Sequence, residues 1–258
     1  MDLNNLPSAK VLVSNISALS EDEYALARRQ GLGASDASVF LGLQSKWRTT
    51  DELIIEKSSK VITDAERAVG KKDVVRKGKD LEPMNMAKFT ALTGVALHKP
   101  EHMYAIKDSE YLTVNYDGVA EIKQLLIPVE CKFVSTFGDK YYDRTRACTR
   151  ETQPNQALFL PNQIQPLAAS FPIASLERLG VYCEARAAEY GIPAYYYAQL
   201  QQQMLGLEAP YGYLSALHDK GWELCVYGPV PFDSSVAHAI KVEGFKTWQR
   251  IMRIRNMH

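Results

Sequence analysis

Residues 115–132 read NYDGVAEIKQLLIPVECK, and the rest of the chain is organised around them. The apolar positions 127, 129, 131 and 133 alternate with Pro128, Glu130 and Lys132, which predicts a strand that buries one face and presents Glu130 and Lys132 on the other. Asp117 is followed by Gly118, a residue type expected at a tight turn, and residues 119–122 predict a second strand. A hairpin of the two strands would return Asp117 to the neighbourhood of Glu130.

Two carboxylates and a lysine at one end of a sheet suit a hydrolytic Mg²⁺ site. Hard divalent cations take oxygen ligands, and a bound cation can orient or deprotonate an attacking water. This chemistry fits metal-assisted cleavage of phosphodiesters. The spacing by itself leaves an alternative open, because Glu-x-Lys also recurs on the solvated faces of ordinary strands.

The composition predicts a single large domain spanning residues 1–258. The 258 residues are 46% hydrophobic, enough for a sizeable core, and 30 basic against 30 acidic residues give no net charge. Contacts to nucleic acid must then come from local basic patches. The four cysteines form no Cys-x-x-Cys pair, which argues against a zinc or iron–sulfur site and favours a reducing cytoplasm, and no apolar run is long enough for a membrane span.

A capping box at Ser20 and Glu23 predicts a helix that ends near residue 30 and carries Arg28. The following stretch, GLGASDA at residues 31–37, predicts a turn that opens another short helix, where free amides favour an anion. Arg28 and Ser35 are therefore candidates for binding a phosphate. The alternative is a plain helix corner in which Ser35 or Asp36 is only a cap.

A basic segment at residues 71–79 predicts a mobile loop suited to a phosphate backbone, with Lys77 and Lys79 as candidate contacts; a solvated loop is the alternative. Residues 78–83 are expected to lead into a helix that runs to about residue 92, because Pro83 is tolerated only in a first turn. Glu82 would then lie at the start of that helix.

The remainder predicts a mixed sheet with helices beside it, an α/β (α+β) chain. Residues 147–190 contain a Pro- and Gln-rich stretch and are expected to form an insertion, and a helix is expected near residues 234–257. A helix at residues 195–206 would place Tyr196, Gln199 and Gln203 on one side and an apolar face on another.

Taken in order, these segments resemble the YqaJ-type viral recombinases, the lambda exonuclease family within the PD-(D/E)xK nuclease superfamily. The matching pieces are Arg28-x-x-Gly31-Leu32-Gly33-Ala34-Ser35-Asp36-Ala37, Gly78-x-x-Leu81-Glu82-Pro83, Asp117-Gly118, Glu130-Cys131-Lys132 and Tyr196-Tyr197-Ala198-Gln199-Leu200-Gln201. The resemblance implies a restriction-endonuclease-like fold, a mixed central sheet flanked by helices.

The resemblance also implies residue roles. Asp117, Glu130 and the main-chain carbonyl of Cys131 would bind Mg²⁺, with Glu82 as an outer ligand, and Lys132 would position and help activate the water. Gln199, with Tyr196, would orient the scissile phosphate, and Arg28 with Ser35 would form a pocket for a 5′ phosphate.

The implied activity is 5′-to-3′ digestion of one strand of linear double-stranded DNA, which leaves a 3′ overhang for a single-strand annealing protein. The implied assembly is a homotrimer, and the implied cofactor is Mg²⁺, with Mn²⁺ able to substitute and two ions per site. Two alternatives stay open: an endonuclease of the same superfamily, and a non-catalytic DNA-binding scaffold for recombination.

Overall fold

A computed structural model describes residues 3–43, 48–70, 73–149 and 175–257. The strands are β1 (Ala9–Val13), β2 (Leu32–Gly33), β3 (Leu97–His98), β4 (Met103–Ile106), β5 (Ser109–Val114), β6 (Gly118–Ile122), β7 (Leu125–Val134), β8 (Tyr211–His218) and β9 (Leu224–Pro231). They form two mixed sheets, one in the order β3-β6-β7-β8-β9 and the other in the order β1-β4-β5-β2. The predicted mixed sheet is thus present, and a second sheet accompanies it.

The predicted hairpin is formed by β6 and β7. The strands are antiparallel, with Gly118 opposite Val129 and Ile122 opposite Leu125. On its other edge β7 runs parallel to β8, from Val129 opposite Tyr213 to Val134 opposite His218. Because β7 has partners on both edges, its residues are held in the middle of the sheet.

The helices are α1 (Glu21–Arg28), α2 (Ala37–Phe40), α3 (Thr50–Ser58), α4 (Asp64–Gly70), α5 (Asp73–Thr93), α6 (Leu176–Glu189), α7 (Ala194–Leu207) and α8 (Ser234–Arg255). The predicted capping box begins α1: Glu23 N donates to Ser20 Oγ, and Ser20 N donates to the Glu23 carboxylate at 2.8 Å. No helix within the described ranges has both the length and the apolar character needed to cross a bilayer.

The prediction of a basic loop followed by a helix that starts near Glu82 is wrong, because α5 is already helical from Asp73 onward. Residues 71–72, the first part of the predicted loop, lie outside the described residues. Pro83 therefore lies inside the helix, where it removes one backbone hydrogen bond. The helix continues because its core side is anchored: Phe89 is buried, and Asn85 Nδ2 donates to the carbonyls of Lys132 at 3.0 Å and Ser215 at 2.9 Å. These bonds fix α5 across β7 and β8.

Helix α7 packs against both sheets, contacting β7 and β8 of one and β4 and β5 of the other. The predicted apolar face is buried, but so are the polar side chains of Gln201, Gln202 and Gln203. Gln202 Nε2 donates to the carbonyls of Leu32 and Thr113, both at 2.9 Å. The helix is consequently an internal element that faces core on more than one side.

The predicted insertion at 147–190 falls partly on residues 150–174, which lie outside the described residues. Its last part forms α6, which packs against α7. The C-terminal helix expected near residues 234–257 is α8.

Candidate active site

The hairpin brings Asp117, Glu130 and Lys132 together at one end of β7. Asp117 immediately precedes β6, and its Oδ2 accepts a hydrogen bond from Cys131 N at 3.1 Å. Lys132 Nζ forms an ion pair with Glu130 Oε1 and lies 3.5 Å from Asp117 Oδ2. The strand register explains why these residues lie close together. Gly118 is paired with Val129 in an antiparallel hairpin, and Asp117 and Glu130 are the next residues along the two strands at the same end.

Glu130 is almost entirely buried, with 1% of its surface exposed. Burial, and then the neighbouring Asp117 carboxylate, raise the pKa of Glu130, while Lys132 and Gln203 act in the opposite direction. Burial disfavours the charged form of Lys132, but the carboxylates of Glu130 and Asp117 outweigh it and hold the pKa of Lys132 well above its usual value. Lys132 is thus an ammonium at neutral pH.

The donor atoms at this end of the sheet fit a hard divalent cation. The Asp117 and Glu130 carboxylates converge, and the N–H of Cys131 points at Asp117. Because the N–H and C=O of a strand residue face the same neighbour, the Cys131 carbonyl is on the Asp117 side as well. An all-oxygen set of this kind is what Mg²⁺ prefers, and a cation there would offset the buried negative charge.

Glu82 is near this group but has a partner of its own. It forms an ion pair with Lys99, and its pKa is raised by burial and then by Asp117. Among the residues that the structure describes, no set of three or more His, Cys, Asp or Glu side chains is arranged to hold a metal. Glu82 would therefore have to act from the outer position that the resemblance implies.

Helix α7 places Tyr196 and Gln199, the two residues that the motif singles out, beside Lys132 and Glu130. Gln199 Nε2 donates to Glu130 Oε1, and Lys132 Nζ lies 5.6 Å from the centre of the Tyr196 ring. Gln199 thus touches the carboxylate that was predicted to bind metal.

Sequence reasoning missed Gln203 as a member of the site. Its Nε2 donates to Glu130 Oε2 at 2.6 Å, and the side chain is 1% exposed. The available signal was the spacing: Gln199 and Gln203 are four residues apart and therefore share a helix face.

The structure also joins Arg28 and Ser35, the residues predicted to bind a phosphate. Arg28 Nη2 donates to Ser35 Oγ at 3.0 Å, and both residues are exposed. The exposed pair offers a guanidinium and a hydroxyl, both suited to a phosphate. Lys77 and Lys79 are exposed on the early turns of α5, upstream of Glu82 on the same helix.

A buried ion cluster supports the turn that carries Arg28 and Ser35, and the sequence did not reveal it. Asp36 is fully buried, and its carboxylate pairs with Arg48 and with Lys57 Nζ, the latter at 2.8 Å. Lys57 Nζ also donates to the carbonyls of Arg28 at 2.6 Å and Gly31 at 2.8 Å. Burial alone would raise the pKa of Asp36, but Lys57, Arg48 and then Arg28 outweigh it and hold that pKa well below its usual range.

Comparisons with known proteins bear on the fold and the family of this chain. The fold is similar to that of an alkaline exonuclease, LHK-Exo, from Laribacter hongkongensis, with a TM-score of 0.54 and 15% identity over 91% of this chain and 95% of that one. The structure of LHK-Exo in complex with dAMP gives a TM-score of 0.54 and 16% identity over the same shares. These likenesses confirm the restriction-endonuclease-like fold.

Sequence comparisons show to which family the chain belongs. The Uncharacterized protein YqaJ of Bacillus subtilis (strain 168) is 28% identical over 135 residues, which are 52% of this chain and 40% of that protein. The chain therefore spans less than half the length of this relative. Residues 23–156 match the YqaJ-like viral recombinase domain, a segment that holds Arg28, Glu82, Asp117, Glu130 and Lys132. The chain belongs to the YqaJ-like viral recombinase domain family.

Proposed function

We propose that this protein is a metal-dependent deoxyribonuclease that removes nucleotides from the 5′ ends of linear double-stranded DNA. The observation that carries the proposal is the convergence of Asp117, Glu130 and the Lys132 ammonium at one end of β7. A binding protein gains nothing from two carboxylates beside a phosphate, because they repel it unless a cation intervenes. This argues against the non-catalytic scaffold.

Asp117, Glu130 and the Cys131 carbonyl would hold Mg²⁺ or Mn²⁺. A cation bound there would polarise the phosphate and lower the pKa of a water molecule. Lys132 is protonated, so it serves as a positive charge that places the attacking water and the phosphate oxygens, and it stabilises the charge that develops on them. Tyr196 covers the Lys132 ammonium, and Gln199 holds the Glu130 carboxylate.

The exposed Arg28–Ser35 pair supports action at a 5′ end. A terminal phosphate carries more negative charge than an internal phosphodiester, so a guanidinium with a neighbouring hydroxyl favours the end of a strand over its interior. Digestion from this end leaves a 3′ single strand, the substrate of an annealing protein, and we propose such a partner and a homotrimer on the family resemblance alone.

The test is digestion of a linear duplex labelled on one strand, with or without a 5′ phosphate, in Mg²⁺ or EDTA, beside a closed circular plasmid. The proposal predicts metal-dependent loss from the phosphorylated 5′ end and an intact circle. Cutting of the circle would assign the protein to the endonucleases. The absence of cleavage in Mg²⁺ and in Mn²⁺ would contradict the proposal and favour the scaffold.

A further inference from the structure

Glu130 is held from one side by two glutamines on successive turns of α7. Gln199 Nε2 donates to Oε1, and Gln203 Nε2 donates to Oε2 at 2.6 Å. Lys132 also pairs with Oε1, so Gln203 is the donor to Oε2 among the described residues. Each carboxylate oxygen thus has its own amide, and the plane of the carboxylate is fixed.

The orientation of the Gln203 amide follows from its surroundings. Its Nε2 has two acceptors, Glu130 Oε2 and the carbonyl of Asn115 at 3.4 Å. Its Oε1 is buried and has no donor among the described residues. A flipped amide would direct this oxygen at a carboxylate and a carbonyl, which repel it, so the nitrogen must face Glu130. An apolar side chain at position 203 would not bury an unsatisfied oxygen of its own, so the Gln203 amide carries a free-energy cost that core packing does not require.

Without Gln203, both remaining donors would act on Oε1. The terminal torsion of a glutamate is soft, so the carboxylate could rotate and turn its second oxygen towards Lys132 as well. Gln203 also donates to the carbonyl of Asn115, two residues before Asp117. The same amide therefore contacts Glu130 and the backbone that leads to Asp117. Hydrogen-bond partners of this kind orient metal ligands and tune their affinity.

We propose that Gln203 is a positioning residue that fixes the Glu130 carboxylate for binding a divalent cation. The inference rests on the proposed function, since it assumes that Glu130 is a metal ligand. It assigns a role to a residue outside the sequence motif, one turn beyond Gln199.

The neighbouring Gln202 provides a matched control. It is also fully buried, also donates through Nε2, and also has an Oε1 without a donor among the described residues. Its acceptors are main-chain carbonyls and not the Glu130 carboxylate. Gln202→Met and Gln203→Met therefore remove the same buried amide from the same helix, and only the second frees Glu130.

The test is the affinity of the DNA-free protein for Mn²⁺ by titration calorimetry, with thermal denaturation as a check of folding. We expect Gln203→Met to raise the Kd for Mn²⁺ by about tenfold, as for other partners of metal ligands. Gln202→Met should lower the Tm but leave the Kd unchanged. Gln203→Asn keeps a buried amide, but its side chain is one methylene too short to reach Glu130, so this variant should also raise the Kd. It replaces the Met variant in the test if the latter does not fold.

Unchanged Kd values in both Gln203 variants, with a wild type that binds Mn²⁺ and cleaves DNA, would overturn this inference alone. An equal rise in Gln202→Met would also overturn it, because the effect would then belong to loss of a buried amide anywhere on α7. A wild type that neither binds Mn²⁺ nor cleaves DNA would overturn the proposed function as well.

Discussion

At the scale of single residues, buried charges define both ends of the proposed site. Glu130 has 1% of its surface exposed and Asp36 has none, yet Glu130 has the Asp117 carboxylate as well as Lys132 beside it, whereas the charged neighbours of Asp36 are all cations. Their pKa values consequently move in opposite directions, that of Glu130 upward and that of Asp36 downward. Asp36 is ionised and structural, whereas burial disfavours the negative charge of Glu130, which a bound cation would stabilise.

Asp36→Asn should destabilise the protein strongly at pH 7. The substitution leaves the buried Lys57 ammonium without its carboxylate, and loss of one partner of a buried pair costs about 3–5 kcal/mol in the free energy of unfolding. Urea denaturation measures the change. The matched control is Asp22→Asn, which breaks an exposed pair with Arg67 and should have a small effect. Equal losses in the two variants would contradict the structural role of Asp36.

The same pair predicts a dependence on pH. The pKa of Asp36 is depressed in the folded state, so its stabilising contribution is fully present above the pKa of the unfolded chain and is lost as pH falls through the folded value. The stability difference between wild type and Asp36→Asn should therefore be constant from neutral pH down to about pH 4 and shrink below it. Denaturation curves across this range test the prediction, and a constant difference at lower pH would refute it.

The sequence reveals those site residues whose partners are close to them in the chain. Asp117, Glu130 and Lys132 lie on one hairpin, whose alternation and turn residue are visible in the sequence. Lys57 and Gln203 reach their partners only through tertiary packing, and a lysine or glutamine on a helix ordinarily indicates a solvated face.

At the scale of elements, α7 depends on close approach to the strand that leads to Asp117. Gly206 lies against Tyr116, and a Cβ there would come 2.5 Å from Tyr116 Oη and 3.2 Å from Val114 Cγ2. Tyr116 is buried and donates to the carbonyl of Gln203 at 3.1 Å. A side chain at position 206 must therefore displace Tyr116 or the helix.

Gly206→Ala should lower the free energy of unfolding by about 1–3 kcal/mol, although alanine favours helix more than glycine does, because the site is overpacked. Gly180→Ala in α6 is the control. Its Cβ would meet nothing within 4 Å, so it should stabilise the protein by up to about 1 kcal/mol. Thermal or urea denaturation distinguishes the two, and a shift of both variants in the same direction would contradict this account of α7.

The long helix α5 shows where element prediction failed. The sequence predicts a loop for the charged run before Pro83, because proline commonly marks a first turn. Lysine, arginine and glutamate are, however, good helix formers, and the contacts of Asn85 and Phe89 with the sheet and core hold the helix on the far side of the proline. Those contacts join residues far apart in the chain, so local patterns do not contain them.

At the scale of the whole molecule, α7 connects both parts of the proposed site. Gln202 donates to main-chain carbonyls of β2 and β5, next to the turn that holds Ser35, and Gln203 donates to Glu130 in the other sheet. The pair predicted to bind a phosphate, Arg28 and Ser35, and the acidic pair are thus both connected to one helix, which fixes their separation.

With a net charge of zero, the proposed binding of DNA depends on local basic groups. If the exposed Lys77 and Lys79 each contact a phosphate, the double variant Lys77→Ala/Lys79→Ala should reduce the slope of log K against log[salt] by about 2. Fluorescence anisotropy with a labelled duplex at several salt concentrations measures the slope. Lys246→Ala, at an exposed pair with Glu243 on α8, is the control and should leave it unchanged. An unaltered slope in the double variant would remove these lysines from the interface.

Cleavage of DNA by the acidic pair together with Lys132 is tested by the single-turnover rate on a 5′-phosphorylated linear duplex in Mg²⁺. We expect Lys132→Ala to lower this rate by at least about 100-fold, because the charge that stabilises the transition state is lost. Lys246→Ala should retain the wild-type rate, since that lysine is exposed and paired with Glu243. Full activity in Lys132→Ala would show that this site does not cleave DNA in the proposed way.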